Sequence, residues 1–157
     1  MTSPKPDQTP ARPTNPADGA LYDAVATEHG IVYGYGLVSS HSSFEENALI
    51  AAAMSEHRER REAAIAMLDA RSVTPPLTAA GYQVPTQVND PTDAANLALR
   101  MEQDAAVAWR AVLEQATSTE DREFAVSALT QAAVTAAKWR GFLDVSPVTV
   151  AFPGGSE

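Results

Sequence analysis

The sequence predicts an all-α protein, an antiparallel four-helix bundle with one long crossover between helices 2 and 3. Three observations lead to this fold class. Apolar residues recur at spacings of three and four over four stretches of about 22–28 residues each. Alanine, the strongest helix former, dominates those stretches, and proline lies mostly outside them. A proline-rich segment without helical periodicity separates the second stretch from the third.

The amino-acid composition excludes several classes of protein and of functional site. A chain of 157 residues can bury one sizeable core, so we expect one folded domain. A net charge of −9 excludes a basic nucleic-acid footprint over the whole chain. Cysteine is absent, which excludes disulfides, thiol catalysis and cysteinyl metal sites. No apolar run reaches membrane-spanning length, and the N-terminal residues lack an apolar signal-peptide core, so we expect a cytoplasmic protein.

The two ends of the chain differ from its middle. Residues 1–18 contain five prolines and no large apolar residue after Met1, which predicts a disordered tail. Residues 19–145 carry the helical pattern. Residues 146–157 predict an extended tail that lies along the helices, with alternating apolar side chains at Val148, Val150 and Phe152.

The first two helices have recognisable beginnings. Helix 1 is predicted over residues 18–40, with Asp18 as its N-cap. Helix 2 is predicted over residues 43–71, because serines at 42 and 43 precede acidic residues that favour a first turn.

The second half of the domain repeats this pattern after a long link. Residues 72–92 contain four prolines and cannot form a regular helix. Helix 3 is predicted over residues 92–117, and helix 4 from Ser118 or Thr119 to residue 143. Two short hairpin connections and one long crossover are the ferritin-like arrangement of a four-helix bundle.

Several apolar stripes are interrupted by a polar residue near the middle of a helix. Because a buried unpaired carboxylate is costly, these groups must be paired, protonated or bound to metal. Mid-helix placement predicts that they share one layer of the bundle. The members of this predicted core polar cluster are Glu28, His57, Arg61, Glu102 and Gln131.

Two interpretations of the cluster remain open. In the first, Arg61 and His57 hold Glu28 and Glu102 in a buried ion-pair network, since an arginine fork can satisfy two carboxylates. In the second, the cluster is a reduced iron or manganese site. Di-iron bundles use two Glu-x-x-His pairs, and this chain contains none, which leaves a smaller set of candidate metal ligands: Glu28, His57, Glu102 and His29.

Other features favour structural roles. The run at 57–61, HRERR, is flanked and interrupted by glutamates, so we interpret it as a solvated helix face and expect no nucleic-acid binding. The large aromatic residues Tyr33, Tyr35, Trp109 and Trp139 are interpreted as core or interface residues. No nucleophile elbow, phosphate loop or other catalytic residue set is present.

Six short segments in order along the chain carry a family resemblance. Together they resemble an actinobacterial ferritin-like domain family without an assigned function, over residues 20–155. The resemblance implies a ferritin-like bundle that dimerises through its helices, and it does not imply iron storage or oxidase activity. The segments are EHGIVYGY at 28–35, HRERR at 57–61, GYQVP at 81–85, LALRME at 97–102, KWR at 138–140 and AFPG at 151–154.

These observations lead to one expected function and two alternatives. We expect a non-catalytic binding or structural module without a cofactor, which forms a homodimer through the alanine-rich faces of helices 3 and 4. The first alternative is an iron- or manganese-dependent oxidoreductase that uses the candidate ligands above. The second is a bundle in which Arg61 binds a small anionic ligand between the helices.

Overall fold

Four α-helices and one 3-10 helix make up the regular structure of this chain, described by a computed structural model over residues 9–155. Those residues contain no β-strand, as the sequence predicted, and none of their helices has an apolar stretch long enough to cross a membrane. The elements are α1 (Pro16–His41), a 3-10 helix (Phe44–Glu46), α2 (Asn47–Asp69), α3 (Pro91–Gln115) and α4 (Thr119–Phe142).

Helix α1 begins two residues earlier than predicted. Its N-cap is Asn15, whose Oδ1 accepts hydrogen bonds from the backbone N–H of Ala17 at 3.0 Å and of Asp18 at 3.1 Å. Pro16 fits the first helical position because no N–H donor is needed there. The predicted cap, Asp18, instead accepts a hydrogen bond from Arg71 Nη1 at 3.1 Å, so that prediction was wrong.

The segment before α1 folds back along that helix. Tyr22 Oη donates to the Pro10 carbonyl oxygen at 2.5 Å, and Arg12 forms an ion pair with Asp23 at 2.8 Å. The described part of the predicted disordered tail therefore has defined contacts. The rest of that tail, residues 1–8, and the last two residues of the predicted C-terminal tail lie outside the described part of the chain.

The other helix boundaries follow local chemistry. Helix α2 starts later than predicted because residues 44–46 form the 3-10 turn, and it ends at Asp69. Helix α3 is capped by Asp90, whose Oδ1 accepts from the Asp93 N–H at 2.8 Å. Helix α4 is capped by Ser118, whose Oγ accepts from the Asp121 N–H at 3.1 Å, as its sequence predicted.

Helix α1 packs against both α2 and α3, and α3 packs against α4. More than half of the buried hydrophobic residues are alanines, which let neighbouring backbones approach closely. Gly34 on α1 also allows a close approach between helices, because a Cβ at that position would overlap Met101 Sδ on α3. The short separation brings long polar side chains from different helices within reach of one another.

The long link between α2 and α3, residues 70–90, lies against α1. His29 Nε2 donates to the Pro76 carbonyl oxygen at 3.1 Å, and the rings of Tyr33 and Tyr82 are 5.4 Å apart between centroids. After α4, residues 143–155 form turns without a helix, and Arg140 Nη1 donates to the Val148 carbonyl oxygen at 3.2 Å.

Candidate functional site

Charged side chains from α1, α2 and α3 meet in the middle of the helices. Glu28 is 0% exposed, and His57 and Glu102 are each 1% exposed. Arg60, one turn after His57 on α2, is also buried. We call Glu28, His57, Arg60 and Glu102 the central network.

His57 bridges the two carboxylates. Its Nδ1 lies 2.6 Å from Glu28 Oε2, and its Nε2 lies 3.0 Å from Glu102 Oε1. An ionised carboxylate only accepts hydrogen bonds, so both ring nitrogens carry a hydrogen when Glu28 and Glu102 are both ionised. Because a neutral imidazole has one N–H, this geometry requires the imidazolium form of His57.

Electrostatics agree with that protonation state. Burial alone would lower the pKa of His57, but the hydrogen bonds and charges of Glu102 and Glu28 outweigh burial and raise the pKa to about 9. Burial opposes ionisation of Glu28, yet the hydrogen bond and charge of His57, with the charge of Arg60, hold the pKa of Glu28 below its usual value. At neutral pH the imidazolium and the Glu28 carboxylate are both charged.

Arg60 completes the charge balance. Its Nη1 donates to Glu28 Oε1 at 3.2 Å, and its Nη2 donates to Gln131 Oε1 at 3.0 Å. Nη1 also lies 3.3 Å from His57 Nδ1, but both atoms carry hydrogen, so this contact is not a hydrogen bond. With both carboxylates ionised, two negative and two positive charges cancel, and Gln131 joins α4 to the network.

Three aromatic residues donate hydrogen bonds into the network. Trp109 Nε1 donates to Glu28 Oε1 at 2.7 Å, Tyr35 Oη donates to Glu102 Oε1, and Trp139 Nε1 donates to Tyr35 Oη at 3.0 Å. Burial and the charge of Glu102 raise the pKa of Tyr35 well above its ordinary value, so its hydroxyl remains a donor. Core or interface positions were predicted for these aromatic residues from the sequence, but their polar contacts were not. The available signal was that buried tryptophan and tyrosine usually find a partner for the polar atom.

The arginine predicted for the cluster is not the one found there. Arg61 is only partly buried, and its Nη2 pairs with Glu62 at 2.7 Å. Arg60 faces inward because α2 buries residues at spacings of three and four that include Ala53, His57, Arg60 and Ala64. Met54, the residue after Ala53, is only partly buried, and an apolar stripe drawn through Met54 instead of Ala53 turns the inferred face of α2 toward Arg61.

His29 lies apart from the central network. Its Nε2 donates to the Pro76 carbonyl oxygen, so its Nδ1 is left to accept from Thr78 Oγ1 at 3.2 Å. Burial is the main cause that lowers the pKa of His29, which favours this neutral tautomer. His29 therefore fastens the long link to α1 and does not join Glu28, His57 and Glu102.

The donor set has a poor arrangement for metal coordination. Across residues 9–155, no group of three or more His, Asp or Glu side chains is arranged to hold a metal ion. Both ring nitrogens of His57 point to carboxylates as donors, so neither offers a lone pair to a cation. Coordination by Glu28, His57 and Glu102 would require His57 to lose a proton that both carboxylates stabilise, and it would place a metal cation beside the positive charge of Arg60.

Two buried atoms of the network are unsatisfied. Among the described residues, Glu102 Oε2 and Arg60 Nε have no hydrogen-bond partner. Glu102 lines a cavity of about 220 Å³ beside α3 and α4, and Arg60 lines one of about 250 Å³ between α2 and α4. Neither of the two unpartnered atoms is accessible to solvent, so each is a buried polar atom without compensation in the network.

Comparison with known proteins identifies the family. The sequence model described as "Domain of unknown function (DUF4439)" matches residues 20–157, and the chain belongs to this family. The chain is similar to a conserved hypothetical protein, rv2844, from Mycobacterium tuberculosis, with 51% sequence identity and a TM-score of 0.81 to its crystal structure. That match covers 83% of this chain and 98% of the mycobacterial chain. No curated protein matches the chain.

The two neighbouring arginines provide a test of the central network. Replacing Arg60 by Gln is expected to lower the free energy of unfolding by about 3–5 kcal/mol, because Glu28 loses a buried charge partner. Arg61→Gln, the matched control on the outer face, should cost less than about 1 kcal/mol. Urea unfolding of both variants measures the difference, and equal losses would contradict the assigned geometry.

The raised pKa of His57 makes stability depend on pH in a defined direction. His57 has a pKa of about 6.5 when unfolded and about 9 when folded. Its contribution is therefore complete below pH 6.5 and is lost as the pH rises through 9, by about 3 kcal/mol at most. The contribution of Glu28 to stability depends on pH in the opposite direction. Folding lowers its pKa from 4.5, so this contribution is lost as the pH falls into the acid range.

We therefore expect the free energy of unfolding to fall between pH 6.5 and pH 9, as measured by urea titrations at a series of pH values. His41→Gln, at the end of α1 and outside the network, should keep the wild-type profile. A flat wild-type profile over this range would show that His57 is neutral in the folded protein.

Proposed function

We propose that this chain is a non-catalytic, ferritin-like four-helix module whose centre is held by a charge-neutral side-chain network. The observation that carries the proposal is the bridge from His57 to the carboxylates of α1 and α3, which employs both ring nitrogens. Such a bridge uses the polar groups to hold helices together and leaves none as an evident base or nucleophile.

The connections support an antiparallel ferritin-like topology with a crossover. Short connections follow α1 and α3, and the long link of residues 70–90 joins α2 to α3. The packing of α1 on α2 and of α3 on α4 suits two helical hairpins, which the link would join as a crossover along α1.

The network would set the relative positions of the helices more than their stability. Transfer of four charged groups out of water is costly, and buried ion pairs often contribute little net stability. These ion pairs would instead favour one alignment of the helices, because sliding one helix by a turn would separate His57 from a carboxylate. A rigid helical module of this kind suits a binding or structural role.

An iron- or manganese-dependent oxidoreductase is the competing function. It would use Glu28, His57 and Glu102 as ligands. His29 would not complete this ligand set, because its ring contacts the long link instead. The donor set does not favour this function, because His57 is an imidazolium and Arg60 adds positive charge. A small anion bound by Arg61 is also disfavoured, since Arg61 pairs with Glu62 on the outer side of α2.

Nuclear magnetic resonance of the His57 ring tests the proposal. At pH 7 we expect both ring nitrogens to be protonated, with nitrogen shifts typical of an imidazolium. Protein purified without chelators and then exposed to Fe²⁺ or Mn²⁺ should retain less than about a tenth of an equivalent of metal after desalting. A neutral His57 ring at pH 7, or stoichiometric metal, would reject the proposal in favour of the metal-dependent function.

We also propose that the module forms a homodimer. Support comes from exposed apolar side chains on α3 and α4, where Val107, Val126 and Val134 are 54%, 46% and 50% exposed. A second copy could cover this face. Size-exclusion chromatography with light scattering should give a dimer mass for the wild type, and Val134→Glu should shift the mass toward the monomer. A monomer at every wild-type concentration contradicts the proposal.

A further inference from the structure

The segment before α1 runs along one face of that helix. Arg12 Nε donates to Asp23 Oδ1 at 2.9 Å, and a Cβ added at Gly19 would lie 2.7 Å from Arg12 Nη1. Two residues earlier in the chain, the Pro10 carbonyl oxygen accepts from Tyr22 Oη at 2.5 Å. Read backward from the start of α1, the chain therefore passes along the helix toward its middle, antiparallel to it.

The same face of α1 leads to a groove. Gly19 and Asp23 are followed at helical spacings by Thr27, Gly30 and Gly34, which share that face. There, α1, α3 and the long link border a groove of about 330 Å³, which we call the tyrosine groove. The lining residues that matter for the argument are Thr27, Gly30 and Tyr33 on α1, Tyr82 on the link, and Arg100 and Asp104 on α3.

The tyrosine groove has the lining of a site for an extended, proline-rich segment. Tyr33 is 46% exposed, and its ring lies 5.4 Å from that of Tyr82, at an angle of 49°. Gly30 leaves the surface of α1 without a side chain beneath Tyr82, where a Cβ would lie 3.5 Å from the ring. Grooves lined by aromatic rings bind proline-rich segments, because the polyproline conformation is already ordered before binding.

Residues 1–8 have the composition that such a groove accepts. They contain prolines at 4 and 6, on either side of Lys5. Proline brings no backbone N–H, so fewer donors are left unpaired when the segment is covered by apolar surface. The lysine between the prolines would pair with Asp104, whose side chain is 53% exposed at the rim of the groove.

The length of this segment is sufficient. From Tyr22 to Tyr33, α1 rises by about 16 Å, at 1.5 Å per residue. Residues 1–8 would span about 25 Å in the polyproline conformation, at 3.1 Å per residue. A short tether also supplies an effective concentration on the order of 1 mM, so even a weakly bound segment would occupy the groove for much of the time.

We propose that residues 1–8 occupy the tyrosine groove of the same molecule in an extended polyproline conformation, so that the chain carries its own peptide ligand. The direction of the preceding segment, its reach and its prolines all favour this occupant. The inference adds a peptide-binding surface to the proposed function and does not rest on it, because none of the residues of the central network lines the groove.

A spin label at the start of the chain tests this inference. The sequence contains no cysteine, so Ser3→Cys provides a single site for a nitroxide label in the full chain. Paramagnetic broadening should strongly reduce the amide signals of Gly30 and Asp104. The amide signal of Val134, on the outer side of α4, should lose much less intensity. Broadening without a maximum at the groove would overturn the proposal.

A mixed sample separates binding within one molecule from binding between two. Spin-labelled protein without nitrogen-15 is mixed with nitrogen-15-labelled protein that carries no spin label. We expect the signals of Gly30 and Asp104 to keep their intensity in this mixture. Equal broadening at the groove in the mixture would show that a second copy supplies the segment, which would overturn the proposal.

Variants of the groove and of the segment complete the test. In the spin-labelled chain, Tyr33→Ser should restore most of the intensity lost at Gly30. Phe44→Ser is the matched control, because Phe44 is 89% exposed and lies outside the groove, and it should leave the broadening unchanged. Replacing both prolines at 4 and 6 by glycine alters none of the described residues and should also restore the intensity. Unchanged broadening in both the Tyr33 and the proline variants would contradict the assigned contact.

The two proposals can fail independently. Resonances of His57 in the same samples show whether the central network is charged. A protonated His57 ring without broadening at the groove would overturn this inference alone, whereas a neutral ring with broadening at the groove would reject only the proposed function.

Discussion

The positive charge of His57, held between two carboxylates, is the interaction on which the rest of the core depends. Each of these groups would be strongly disfavoured in isolation at such depth. Together with Arg60 they alternate in sign, so each charge has an opposite charge as its nearest neighbour. Because the partners come from α1, α2 and α3, these helices can bury the charges only when all are present and in register.

Small residues around the network make this arrangement feasible. Bulky side chains would hold the helices too far apart for His57 to reach both carboxylates. Gly34, packed against Met101, and the many core alanines keep the backbones close. The large aromatic residues are used where a polar atom is also needed, since Trp109 and Tyr35 each donate to a carboxylate.

Much of this core could be predicted from the sequence because a polar residue in an apolar helical stripe is a strong local signal. That signal correctly indicated that Glu28, His57 and Glu102 are buried. It could not choose between Arg60 and Arg61, because a shift of one residue turns the side chain by about 100° around the helix. The choice depends on where α1 and α4 present their acceptors, which is tertiary information. The start of α1 was missed for a similar reason, since Asn15 and Asp18 are both good N-caps.

Both tryptophans of this protein belong to the same hydrogen-bonded set of side chains. Trp109 donates to Glu28, and Trp139 reaches Glu102 through the hydroxyl of Tyr35. No other indole is present in the sequence. The tryptophan fluorescence of this protein therefore originates entirely at its ionic centre, and its emission colour and intensity provide a label-free optical reporter of any change in charge or hydration there.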